Sequence, residues 1–128
     1  MKMSSITKKW IIETDNYKCI IRCYDEAHKK YAERIVTQRY AVAHINYLQN
    51  NAPERITNLL NSGNIYKYLM TIQHKAEEVL DDQLDRLKQN DKEYTAALIQ
   101  GDIIKAVGLE NGLAAQVNEI IYQNIINN

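Results

Sequence analysis

The chain has 128 residues, with 16 Lys+Arg against 16 Asp+Glu, 4 Gly, 1 Pro and 2 Cys. That length suits one ordinary domain that buries a core without disulfides or a metal, and zero net charge excludes a global pull toward nucleic acid or an anionic membrane. So little Gly and Pro argues against a barrel or sandwich, leaving an all-α fold as the expectation: a small helical bundle of four to five helices in a single domain over residues 1–128.

The stretch from Met1 to Trp10 lacks the apolar run of a signal peptide, and no segment reaches the ~20 apolar residues of a membrane span. A cytoplasmic location with no membrane partner is therefore expected. Residues 1–16 read as irregular or as a short extended arm, in which Trp10-Ile11-Ile12-Glu13 suits a strand or a helical turn and Thr14-Asp15-Asn16 supplies turn chemistry. From Tyr17, apolar positions at Tyr17, Ile21, Tyr24, His28, Tyr31 and Ile35 follow a 4-3-4-3-4 spacing that continues through Val42, Ile45 and Leu48. This spacing predicts one long helix over about 17–49. Cys19 and Cys23 would lie one turn apart on it, too strained for a bridge, and are expected as reduced thiols.

Asn50-Asn51-Ala52-Pro53-Glu54 ends that helix and begins a short second one carrying Ile56, Leu59 and Leu60, since Pro is tolerated in a first turn. Gly63 suits the left-handed residue that closes the second helix. A third helix over about 64–89 carries an apolar stripe from Ile65 through Leu87 and an acidic opposite face. Asn90-Asp91 breaks the pattern, and Asp91 is placed to cap a last helical region running to Ile125. Its stripe reads through Gly108–Gly112, yet each interior Gly costs about 1 kcal/mol against Ala, so a continuous helix and a break there both fit.

Tyr47-Leu48 before Pro53, Leu59-Leu60 before Ser62-Gly63, the helix with Tyr68-Leu69, Ile72 and Gln73 to Glu77, and the tail Ala115-Gln116-Val117-Asn118-Glu119-Ile120-Ile121 together resemble TnpV, a small protein encoded within bacterial transposons. The resemblance covers roughly residues 40–126. It implies a mobile-element setting and an accessory role, and it carries over no catalytic residue. The chain has Asn64 where that family generally has Lys, and Gly112 to Gln116 where it favours arginines, which weighs against a DNA role by kinship.

No Gly-rich phosphate loop and no nucleophile–base pattern occurs, and His28, His44 and His74 are isolated in sequence, so neither enzyme activity nor catalytic, cofactor or metal residues are expected. Asp25-x-x-His28 alone resembles half of a di-metal carboxylate pattern, and His28, lying in the apolar stripe, reads as a core or interface residue. The corner at Ser62-Gly63 could place Asn64, Tyr66, Lys67 and Thr71 toward bases, but the acids that follow on the same helix favour an ordinary corner. Two candidate faces remain. One is basic, Lys18, Arg22, Lys29, Lys30, Arg34 and Arg39, backed by Tyr17, Tyr24 and Tyr31 at heptad spacing; the other is acidic, Glu77, Glu78, Asp81, Asp82 and Asp85. The leading expectation is a non-enzymatic accessory protein of a mobile element that works through a protein partner, with homodimerisation as one form of contact. DNA binding through the basic face, as an excision or integration factor, and inhibition of a host defence enzyme are the alternatives.

Overall fold

In the computed structural model, residues 8–128 are described. Three strands, β1 (Lys8–Thr14), β2 (Cys19–Asp25) and β3 (Lys30–Val36), are followed by helices α1 (Arg39–Asn51), α2 (Pro53–Ser62), α3 (Ile65–Asn90), α4 (Lys92–Ile99) and α5 (Ile103–Ile121), with a π-helical turn at Tyr122–Ile126. The strands form one antiparallel sheet in the order β1-β2-β3. The chain divides into two compact units, residues 1–73 and 74–128, with the boundary inside α3.

The sheet corrects the all-α expectation, and with it the helix over 17–49, of which only α1 is helical. In strand parity the residues sort differently from the helical stripe. Register pairs Thr14 with Cys19 and Val36, and Ile12 with Ile21 and Arg34, on the inner face. Glu13, Ile20 and Ile35, then Ile11, Arg22 and Glu33, alternate onto the outer face. Two local devices make the hairpins. The Asp15 carboxylate accepts from the backbone N–H of Tyr17 at 2.7 Å and of Lys18 at 2.8 Å, an Asx turn that folds β2 back on β1. The second hairpin turns through Lys29 in the left-handed region, φ 51°, with His28 Nδ1 2.9 Å from Asp25 Oδ2. That turn contains neither Gly nor Pro, so nothing in its composition announces it. Of the expected N-terminal arm, residues 8–14 form β1 and residues 1–7 lie outside the described residues.

The core of the first unit joins Cys19, Ile21 and Val36 of the sheet to Ala41, Val42, Ile45 and Leu48 of α1 and to Ile56, Leu60, Ile65 and Leu69 of α2 and α3. Polar bonds pin α1 to the first hairpin: Thr14 Oγ1 donates to Gln49 Oε1 at 2.9 Å, and Asn46 donates to the Asp15 carbonyl at 3.1 Å. The α1 N-terminus has no local cap, because Gln38 turns its side chain back to the Thr37 N–H. Gln73 of α3 supplies one instead. Its Oε1 accepts from the N–H of Tyr40 at 2.8 Å and of Ala41 at 3.1 Å, all three residues being buried.

Helix ends follow the sequence signals closely. Pro53 stands in the first turn of α2, and Gly63, at φ 75°, closes that helix with Gly63 N–H to Leu60 C=O and Asn64 N–H to Leu59 C=O bonds. In the second unit Asp91 caps α4 by accepting from Tyr94 N–H at 2.8 Å. The break in the last helical region falls at Gly101, φ 73°, where the same paired closure recurs, whereas α5 runs unbroken through Gly108 and Gly112. Ala76, Ala97, Ala106, Leu113, Val117, Ile121 and Ile126 are this unit's buried apolar residues. Among the described residues no helix is long and apolar enough to cross a membrane.

Two stability predictions follow from these contacts. Gln73→Leu strands two buried N–H groups and should cost about 1–3 kcal/mol for each of them in urea unfolding, whereas Gln73→Glu, which keeps the acceptor and places a negative charge at a positive helix end, should cost less. Gly101→Ala should destabilise by about 1 kcal/mol through its left-handed φ, while Gly112→Ala, in open helix with no atom within 4 Å of the added Cβ, should stabilise by about 0.5–1 kcal/mol. Equal shifts in melting temperature for the two glycine variants would place the break elsewhere.

Candidate functional site

The segment that carries the six basic candidates is a sheet and a loop, so the helical face that grouped them does not form. Lys18 lies in the first turn, Lys29 and Lys30 at the second, and Arg39 opens α1 with its guanidinium 5.3 Å from the Tyr40 ring centroid. Arg22 projects from the middle of the outer face between two carboxylates: it bonds Glu13, and its Nε meets Glu33 at 3.0 Å. Tyr31 donates to the same Glu33 oxygen at 2.9 Å. These contacts hold the Arg22 pKa above its usual value and the Glu33 pKa below its own, the latter through the hydrogen bonds from Tyr31 first and then Arg22. Arg34 has the opposite strand parity and lies over the Tyr66 ring, 4.3 Å from its centroid. Tyr24 and Tyr31 pair across the outer face with centroids 4.8 Å apart, and Tyr17 is exposed at the first turn.

The five acidic candidates are all exposed along α3. Glu77 meets His74 at 3.4 Å and Asp82 meets Arg86 at 3.2 Å, exposed pairs each worth a few tenths of a kcal/mol. Glu78 and Asp81 have no cation at ion-pair distance among the described residues. The helix therefore carries an acidic band within the second unit that is only partly compensated among the described residues.

His28 lies outside the core that its place in the apolar stripe suggested, and His44 lies inside it. His28 sits exposed on the second hairpin beside Asp25, whereas His44 is fully buried, with Nε2 2.7 Å from the Tyr68 hydroxyl, which also accepts from Arg55 at 2.9 Å. Among the described residues no three His, Cys, Asp or Glu side chains gather as metal ligands would.

An exposed surface that includes Ile99, Ile103 and Val107 of the last apolar stripe lies at the turn between α4 and α5. Ile99 is 81% exposed, Ile103 65%, Ile104 88% and Val107 50%. One signal was available: adjacent Ile103 and Ile104 stand about 100° apart on a helix and do not both face one core.

In the first unit a cleft of about 380 Å³ opens between the inner sheet face and the α2–α3 corner, lined by Trp10, Cys23, Arg34, Tyr66 and Lys67 among others. Both cysteines are free and share the inner parity of β2. Burial pushes the Cys19 thiol up to about 11, so it stays protonated near neutral pH, while Cys23 is half-buried at the cleft wall. In native protein at about pH 8, below that raised value, a soluble disulfide reagent should titrate Cys23 while Cys19 reacts only on unfolding. Two rapidly reacting thiols would contradict the burial of Cys19.

Comparison with known proteins adds the setting. The family model described as transposon-encoded protein TnpV matches residues 25–126, which extends the resemblance seen in sequence back into the second hairpin. No curated protein and no solved structure matches the chain. With the match running from the end of β2 almost to the C-terminal residue, the chain belongs to the TnpV family of transposon-encoded proteins.

Proposed function

We propose that the chain is a non-enzymatic accessory protein of its transposon, acting through contacts with a protein partner made by the apolar turn between α4 and α5. The observation that carries this reading is the exposure of Ile99, Ile103, Ile104 and Val107 together. Ile103 and Val107, four apart, share one face of α5, Ile104 stands about 100° round from Ile103, and Ile99 ends α4 just before the turn. An exposed apolar surface of this kind is a frequent mark of a protein contact, and it stands where two short-range caps, at Gly101 and Asp102, hold the backbone in place. The acidic band on α3 belongs to the same unit, so a partner with a basic rim would associate faster and with a rate that falls as salt rises.

DNA tracking by the basic candidates draws no comparable support. Arg22 is neutralised by two carboxylates, Lys9 is paired to Glu26 at 2.7 Å, and Arg22 and Arg34 take opposite parities of the sheet. A duplex contact needs several unpaired cations along one surface.

Ile103→Asp combined with Ile104→Asp tests the reading. Both side chains are exposed, so the thermal unfolding of the variant should match the parent within about 0.5 kcal/mol per substitution. Excision or transfer frequency of a transposon carrying the variant gene should fall at least about tenfold, the loss expected when about 1.4 kcal/mol of contact is removed. Parental frequency with a folded variant would defeat the proposal.

A further inference from the structure

The cleft in the first unit combines features that the accessory reading does not use. Its walls are apolar and aromatic: Trp10 from β1, Ile21 from β2, and Tyr66 from the first turn of α3. Its polar groups are two cations, Arg34 and Lys67, and neither has a carboxylate partner among the described residues. Glu33 also reaches the rim, but Arg22 and Tyr31 hold it. The first turn of α3 beside the cleft carries no acid.

Arg34 is the informative residue. Its guanidinium carbon lies over the Tyr66 ring, 4.3 Å from the centroid, and its N–H groups have no hydrogen-bond partner among the described residues. A guanidinium held this way presents a flat surface for a second planar group and a two-pronged donor for an oxyanion. Lys67 adds a mobile point charge on the same side of the corner. A bare phosphate would use the cations and leave the aromatic wall unfilled. An uncharged ring would fill the wall and leave the cations idle. A ligand with a planar heterocycle and a phosphate uses both, and the volume of about 380 Å³ lies in the range of pockets that take small ligands.

We propose that this cleft binds a nucleoside monophosphate unit, its base against Trp10 and the Arg34–Tyr66 stack and its phosphate at Arg34 and Lys67. The unit arrives either as a free nucleotide or as the 5′-phosphorylated end of a single strand. A single cleft of this size recognises one nucleotide and needs no cationic track along a duplex. The inference is independent of the apolar surface at α4–α5, so failure of one leaves the other standing.

Trp10 is the only tryptophan of the chain, so its fluorescence reports directly on the cleft. The full chain is titrated with adenosine and cytidine 5′-monophosphates, with inorganic phosphate, and with a short single-stranded oligodeoxynucleotide carrying either a 5′-phosphate or a 5′-hydroxyl. A saturable change in Trp10 emission is expected with the monophosphates or with the phosphorylated strand, at an affinity at least about tenfold above inorganic phosphate and weakening with salt. Saturation by the free monophosphates identifies the small molecule as the source; saturation by the phosphorylated strand alone identifies the strand end. Lys67→Ala, at an exposed position that tolerates truncation, should weaken binding at least about fivefold. Arg34→Lys, which keeps the charge and removes the planar fork, should weaken it as well, with far-UV circular dichroism unchanged. The proposal is overturned by no saturable signal up to about 10 mM, where even a millimolar site fills. Equal affinity for phosphate and nucleotide, equal affinity for the two strand ends when the free monophosphates do not bind, or parental affinity in Lys67→Ala would overturn it too.

Discussion

The first unit depends on a hydrogen-bonded corner in which Gln73 of α3 closes the N-terminus of α1. Tyr40 and Ala41 are buried there, so their N–H groups have no water to turn to, and each would cost about 1–3 kcal/mol left unpaired. Gln38, the residue in cap position, spends its side chain on Thr37. A residue more than thirty positions away therefore completes a helix that local chemistry leaves open. By doing so it holds α1 at the place where β3 ends at Val36, and Cys19, Val36 and Leu69 close into one core around it.

From that arrangement follows the fate of the charges. On a helix, Lys18, Arg22 and Lys29 would share a face; on strands joined by two turns they are dealt to a turn, a sheet face and a second turn. Arg22 then meets Glu13 and Glu33 because antiparallel register sets Arg22 opposite Glu33 and diagonal to Glu13. Arg34, on the other parity, finds an aromatic ring instead of a carboxylate. The same register that neutralises one arginine leaves the other available at the wall of a cleft.

The second unit shows the complementary situation. Its buried positions include three alanines, Ala76, Ala97 and Ala106, while four large side chains stand out at the α4–α5 turn. Leu113, Val117, Ile121 and Ile126 are buried as burial selects, so the exposure of the four at the turn is a local exception in this unit. The turn itself is determined locally, by Gly101 in the left-handed region and Asp102 accepting from Lys105 N–H at 3.1 Å. What is exposed there is thus held on a defined backbone.

Much of the helical half was legible without coordinates. Pro53, Gly63 and Asp91 act within a few residues of themselves, through a fixed φ, a left-handed φ and a carboxylate near free N–H groups, so the elements they bound emerged within a residue or two. The TnpV kinship was legible for a similar reason, since it rests on those same punctuating residues. The sheet was not. Tyr17, Ile21, Tyr24, Tyr31 and Ile35 satisfy a helical period by coincidence, and a strand is stabilised by partners across the register, which a linear spacing does not contain. The Gln73 cap, the clamp on Arg22, the Arg34–Tyr66 stack and the exposure of Ile103 and Ile104 all belong to that second kind. Each joins residues far apart in the chain, or depends on what does not pack against them, and only the folded backbone decides either.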